Sequence, residues 1–132
     1  MPNILSHPLH LGLGSKVTVQ PEFTGGMDWY DDYVARHASD GAEGRLVTMY
    51  SFKESWDMWE MHPAGDEVVL CTAGSITLHQ EWPGGRTATL TLGPGEYLIN
   101  EPGVWHTADV TGEATALFIT AGLGTEHRAR IK

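Results

Sequence analysis

From residue 44 onward, apolar and polar residues alternate with a period of two, in short segments separated by glycine and proline. Such alternation predicts β-strands, because successive side chains of a strand point to opposite faces of the sheet. The pattern places strands at 45–52, 55–62, 67–74, 75–82, 87–92, 96–100, 104–110 and 115–122. The connections are too short for the crossovers that parallel strands need, so we expect these strands to pair in antiparallel order.

This strand content predicts an all-β fold with little helix. Short antiparallel strands in this number favour either a two-layer sandwich or a jelly-roll barrel, since both arrangements hide strand edges. A chain of 132 residues can bury one core but is too short for two independent ones. We therefore predict one structural domain, with a barrel at 44–132 and an N-terminal arm and short helix, packed on the barrel, at 1–43.

Two segments of the N-terminal arm have a pattern of their own. Residues 16–20 alternate in the manner of a strand, and we expect either an arm or an edge strand there. Large side chains within 27–39 recur at helical spacing, which predicts a short amphipathic helix with Asp28 as its cap.

Charge and composition exclude several classes of partner. The net charge is −9, with 8 Lys and Arg residues against 17 Asp and Glu residues, so nucleic acid and anionic membrane surfaces are repelled. The single cysteine, Cys71, lies in an apolar segment and is expected to be a small buried side chain. No segment approaches the roughly 18 apolar residues of a membrane span, and the N-terminus lacks the pattern of a signal peptide. We expect a cytoplasmic protein.

Glu60, His62 and Glu67 lie close together in the sequence and next to buried strand residues. Glu60 and His62 share one face of their strand, and Glu67 shares a face with apolar residues of the next strand. Carboxylates in such a position cost several kcal/mol unless they are protonated, hydrogen-bonded or bound to a cation.

His106 also shares its strand face with apolar residues, Val104 and Ala108 among them, so its imidazole is expected to point into the interior. Imidazole nitrogen and carboxylate oxygen are ordinary ligands of divalent transition metals. The pattern therefore favours a metal site, and the alternative is a buried hydrogen-bonded network without metal.

The spacing of these residues resembles the two sequence motifs of the cupin superfamily. The first motif is G(X)5HXH(X)3-4E(X)6G, and its metal-binding part is matched by Glu60, His62, Glu67 and Gly74. Glu60 stands where the first histidine is usual. This substitution changes the charge of the site and bears on which metal it would hold.

The second motif is G(X)5PXG(X)2H(X)3N, and its spacing is matched by Gly95, Gly103 and His106. Glu101 takes the place of the motif proline, and Val110 takes the place of the final asparagine. Both departures lie at positions that do not bind metal in the motif. The resemblance as a whole covers residues 44 to 121.

The resemblance implies a small single-domain jelly-roll barrel with a metal inside it. By this resemblance His62, Glu67 and His106 are the expected ligands, and Glu60 is either the fourth ligand or a catalytic general base. The expected cofactor is a divalent transition metal, Zn, Mn, Fe or Ni, and the expected partner is a small-molecule ligand. The implied activity is that of a dioxygenase, isomerase or decarboxylase. A non-catalytic binding module and a metal-free isomerase are the alternatives, and a homodimer is expected.

The other polar and aromatic candidates carry weaker expectations. Tyr97, Asn100 and Trp105 flank the second motif and are either ligand-orienting or packing residues. His79 is expected to face outward, because Ile76 and Leu78 take the opposite face of its strand. His7, His10, His37 and His127 are expected to be solvated residues or local caps, and residues 126–132 a solvated tail.

Overall fold

Two antiparallel sheets face each other in the structure, a computed structural model that describes residues 1–131. The larger sheet contains β1 (Leu9–Leu11), β2 (Val17–Val19), β3 (Arg45–Phe52), β5 (Glu67–Gly74), β8 (Tyr97–Asn100) and β10 (Ala114–Thr120), in the order β2-β1-β3-β10-β5-β8. The smaller contains β4 (Met58–Met61), β6 (Ile76–Glu81), β7 (Thr87–Leu92), β9 (Trp105–Asp109) and β11 (Glu126–Ala129), in the order β11-β4-β9-β6-β7.

Strands β3 to β10 follow the order of a jelly roll, with β3-β10-β5-β8 in one layer and β4-β9-β6-β7 in the other. The predicted all-β fold is therefore confirmed, and each of the eight predicted segments overlaps one of the strands β3 to β10, although β4 begins three residues later than predicted. The core between the layers comes from the inward-facing residue of each alternating pair. Its members include Val69, Cys71, Ile76, Leu78, Leu98, Ala108, Ala116 and Phe118.

The N-terminal residues extend the larger sheet. β1 pairs with both β2 and β3, so β2 forms the edge of that sheet. This resolves the alternative between an arm and an edge strand in favour of the edge strand. β1 itself is only three residues long, too short to show a period of two. A domain boundary at residue 43 stays a prediction.

Helix α1 (Met27–His37) lies where helical spacing predicts it. The predicted cap is wrong, because Gly26 is the N-cap residue and Asp28 lies inside the first turn. There its carboxylate faces the positive end of the helix dipole instead. Short 3-10 turns occupy Leu13–Ser15 and Ala38–Glu43. Within residues 1–131, no helix is long and apolar enough to cross a membrane.

His10 anchors the helix to the larger sheet. Its Nδ1 lies 2.6 Å from the Tyr33 hydroxyl of α1, and its Nε2 lies 2.6 Å from Asp40 Oδ2. Its ring stacks on His37, with the centroids 3.7 Å apart. The expectation of a solvated His10 is therefore wrong, since the side chain is only 3% exposed. Pairing with β3 turns it inward, and that pairing is not visible in the local sequence.

Residues 126–130 are not the predicted solvated tail, whereas Ile131 is fully exposed and Lys132 lies outside the described residues. β11 pairs along its whole length with β4, at the edge of the smaller sheet. Beyond it, Arg130 Nη1 donates to Asp109 Oδ1 at 2.8 Å, to the Trp56 carbonyl at 3.0 Å and to the Ala108 carbonyl at 3.2 Å. The charged residues that suggest a tail are those that an edge strand tolerates.

The same contacts lower the pKa of the Asp109 carboxyl. Its hydrogen bond from Arg130, and then that with His79, lower the pKa from 3.8 to about 2. Because the folded-state pKa is depressed, the stabilisation is present above about pH 4 and is lost as the pH falls towards 2. Because the Asp109 side chain is 44% exposed, we expect this stabilisation of the folded state to be less than about 1 kcal/mol. A carboxyl NMR titration should show the low pKa, and a midpoint near 4 would contradict the contact.

Candidate metal centre

Strand pairing brings the predicted site residues together from both sheets. In the smaller sheet, a continuous row of paired residues crosses four strands: His127, Glu60, His106 and Gln80. In the larger sheet, Glu67 pairs with Asn100. The two groups face each other across the interior, because the side chains of both point inward between the layers.

Glu67 contacts both predicted histidine ligands with separate oxygens. Its Oε2 lies 3.0 Å from His62 Nε2, and its Oε1 lies 3.2 Å from His106 Nε2. All three side chains are buried. Glu60 is 32% exposed, and its Oε2 lies 3.6 Å from His62 Nε2 and 4.0 Å from His106 Nε2. The structure thus places the four predicted side chains around one point, and their role as ligands stays a prediction.

Hydrogen bonds fix which nitrogen of each imidazole faces this point. Thr125 Oγ1 donates its only hydrogen to the Gly122 carbonyl, so His62 Nδ1, 2.8 Å from that hydroxyl, must donate to it. His106 Nδ1 is the donor to the Val104 carbonyl at 3.3 Å. In the neutral form both rings therefore carry a lone pair on Nε2, which is the arrangement of metal-binding histidines.

These two Nε2 atoms are buried and have no hydrogen-bond partner in the described part of the chain. The Glu67 oxygens are near, but their directions do not form hydrogen bonds with them. In the neutral rings two lone pairs face a carboxylate, an arrangement that is repulsive unless the rings are protonated or a metal ion lies between them. A single divalent cation would satisfy all three groups together, so the donor set fits a metal.

A second group of potential ligands, His10, His37 and Asp40, does not have this property. Its ligand atoms lie within 4.8 Å of one another, as do those of Glu60, His62 and His106. Both nitrogens of His10 already have hydrogen-bond partners, however, and the two rings are nearly parallel, at 17°. Parallel stacked rings direct their lone pairs side by side instead of towards one ion. The geometry favours a structural role for this group.

The charge state of Glu67 suits a ligand. Burial raises the pKa of this carboxyl, but without a metal the protonated imidazoles of His106 and His62 outweigh that effect and hold the pKa well below its usual range. Burial likewise lowers the pKa of His106, and Glu67 reverses the shift, so the pKa of His106 lies above its usual value. The interior therefore keeps Glu67 ionised, which is the form that binds a cation.

Neighbouring polar groups hold Glu67 in place. Asn100 Nδ2 donates to its Oε1 at 3.1 Å, and Thr120 Oγ1 donates to its Oε2 at 2.7 Å. Gln80 Nε2 in turn donates to Asn100 Oδ1 at 2.9 Å. Such outer partners orient ligands and tune metal affinity. Of the three residues that flank the second motif, Asn100 thus has a positioning role through Glu67.

Comparisons with known proteins identify the fold. No protein-family model matches the chain, and no curated protein sequence matches it. Among solved structures, recombinant oxalate oxidase in complex with glycolate matches with a TM-score of 0.58 and 17% identity, over 70% of this chain and 50% of that chain. Hydroquinone 1,2-dioxygenase from Sphingomonas sp. TTNP3 matches with a TM-score of 0.50 and 17% identity, over 58% and 59%. Both are cupins. The chain has the cupin fold.

Another solved match is a cupin-2 domain containing protein from Shewanella frigidimarina, with a TM-score of 0.48 and 20% identity, over 58% of this chain and 69% of that one. At such identities the likeness concerns the cupin fold and not the chemistry of the site. The chain corresponds to about half of the oxalate oxidase chain.

The cupin barrel also places residues at the site that the motifs do not include. His127, expected to be solvated, lies in β11 with its Nε2 3.7 Å from Glu60 Oε1. Tyr30 of α1 lies close enough that Glu60 and Glu67 add to the effect of burial in raising the pKa of its phenol. His127 and Tyr30 come from the two ends of the chain, so no local spacing could connect them with the motifs.

Proposed function

We propose that this cupin binds a divalent transition metal through His62, Glu67 and His106, and acts there on a small molecule. The observation that carries the proposal is the pair of buried, unpartnered Nε2 atoms beside the ionised Glu67. Two imidazoles and one carboxylate form the donor set of many mononuclear iron(II) oxygenases. Zn, Mn and Ni accept the same donors, so the ligand types leave the metal open.

A bound divalent ion supplies Lewis-acid polarisation of a substrate oxygen, or activation of water or O2. The protein contributes the position and charge of the groups around it. Asn100 and Thr120 keep both oxygens of Glu67 directed at the histidines. Val104 and Thr125 keep each Nε2 directed at Glu67.

Glu60 is the one carboxylate of the centre with access to solvent. Its Oε2 faces the two imidazoles and its Oε1 faces His127. In this position it can take a proton from a substrate and remain close to His127, whose pKa the contact with Glu60 raises. We therefore propose Glu60 as a general base at the edge of the centre, with direct metal binding as its alternative role.

The proposed reaction class is that of a dioxygenase, isomerase or decarboxylase. Oxalate oxidase and hydroquinone 1,2-dioxygenase share the fold, which supports a small oxygenated molecule as the substrate. The proposal also includes a homodimer and a cytoplasmic location, and neither follows from the geometry of the metal centre.

Metal analysis of the wild-type protein tests this function. We expect about one equivalent of a divalent transition metal per chain in protein purified without added metal, because the unpaired groups form one site. In the Mn²⁺-loaded protein we expect enhanced relaxation of water protons, which reports a coordination position open to exchange. A chain that neither retains nor takes up a divalent metal would refute the proposal.

A further inference from the structure

The ring of Trp56 lies beside the candidate centre, in the aromatic part of the barrel interior. Its centroid is 6.3 Å from that of His106, 6.1 Å from that of Phe118 and 5.6 Å from that of Phe52. Phe52 and Phe118 have no acceptor to offer an N–H group. The side of His106 occupied by Trp56, Phe52 and Phe118 is therefore aromatic, and the indole nitrogen is the one polar side-chain atom of these three residues.

This nitrogen, Nε1, is buried and has no hydrogen-bond partner among residues 1–131. A buried N–H donor without an acceptor is costly, and indole nitrogens in protein interiors are normally hydrogen-bonded. The ring that carries this unpaired donor is a neighbour of the His106 ring, whose own Nε2 is unpaired as well. The two groups call for complementary partners, an oxygen acceptor for the indole and a cation for the imidazole.

The backbone keeps Trp56 in this position. Its N–H donates to the Ala108 carbonyl at 2.9 Å, and its carbonyl accepts from Arg130 Nη1 at 3.0 Å. Arg130 is in turn bound to Asp109. The main chain of Trp56 is thus held by β9 and by Arg130, and its indole packs among the rings of Phe52, His106 and Phe118.

We propose that the Trp56 indole N–H donates a hydrogen bond to an oxygen of the molecule bound at the candidate centre. The ligand class is a small carboxylate with an apolar body, whose carboxylate meets the indole and the centre while its body packs on Phe52 and Phe118. This inference rests on the proposed function and adds a positioning residue and a substrate class to it.

Zinc-loaded protein and benzoate provide the test. Replacing Trp56 with Phe keeps an aromatic ring and removes the N–H donor together with part of the indole volume, and the zinc affinity of the variant reports whether the centre survives the change. We expect the W56F variant to bind zinc like the wild type and to raise the Kd for benzoate about tenfold or more, measured by calorimetry, as one lost hydrogen bond to a charged group predicts.

Trp82 is the matched control, because its Nε1 is also buried and unpartnered but lies in the β6–β7 hairpin, under Arg86. W82F should bind benzoate like the wild type. In ¹⁵N-labelled wild-type protein, benzoate should shift the Trp56 indole signal and leave that of Trp82 unchanged. This measurement decides the matter even if W56F does not fold.

The outcomes separate the two proposals. Wild-type protein that takes up neither zinc nor any other divalent metal would refute the proposed function itself. Zinc-loaded wild type that does not bind benzoate would overturn the ligand class. Zinc-loaded W56F that binds benzoate as tightly as the wild type, or an unshifted Trp56 signal, would overturn the role of Trp56 alone.

Discussion

Replacing His106 with alanine is expected to lower the affinity for zinc more than 100-fold. Loss of an outer partner of a metal ligand typically costs 10- to 100-fold in affinity, and loss of a ligand should cost more. His106 is fully buried, and its loss would leave the charged Glu67 carboxylate with His62 as its one remaining imidazole neighbour among the expected ligands. Competition of the variant with a chelator of known affinity, followed by elemental analysis, measures the change.

His79→Ala is the matched control for this experiment. His79 lies on β6 of the same sheet, but it faces outward and contacts Asp109 and Thr89. Its loss should leave zinc binding unchanged. Equal zinc affinity in the H106A variant and the wild type would remove the metal centre from consideration.

Replacing Gly74 with alanine is expected to destabilise the fold by at least about 3 kcal/mol. Gly74 ends β5 with a φ of +70°, a conformation that L side chains rarely adopt. A Cβ there would also lie 2.1 Å from the Glu113 carbonyl oxygen, which is a backbone atom and cannot turn away. The free energy of unfolding in urea gives the effect directly.

Gly14→Ala separates the two causes of this loss. Gly14 has nearly the same φ, +69°, and nothing lies within 4 Å of an added Cβ. We expect it to cost only the backbone strain, about 1 kcal/mol. If both variants lost the same stability, the close approach of Glu113 would have no part in the requirement for glycine at position 74.

The barrel strands and the candidate centre could be predicted because both follow from parity along a strand. Residues two apart share a face, so Glu60 goes with His62, and Glu67 goes with Val69 and Cys71. Once apolar companions show which face is buried, the direction of each polar side chain follows. The motif spacing then indicates that distant strands meet, which parity alone cannot do.

The supporting residues could not be predicted, because their roles depend on pairing between distant segments. His10 is buried only because β1 pairs with β3, and His127 reaches Glu60 only because β11 pairs with β4. The short strands involved have three and four residues, too few for a periodic signal. Similarly, the unpaired nitrogen of Trp56 is a property of packing, and any tryptophan in the sequence looks the same.

The bond between Gln80 and Asn100 joins a strand of one layer to a strand of the other. Glu67 also belongs to the larger sheet, whereas His106 belongs to the smaller. An ion bound by both residues would therefore link the two sheets. Separation of the layers and occupancy of the centre then exclude each other. A bound metal would therefore add to the stability of the folded barrel, by an amount that grows with the metal concentration.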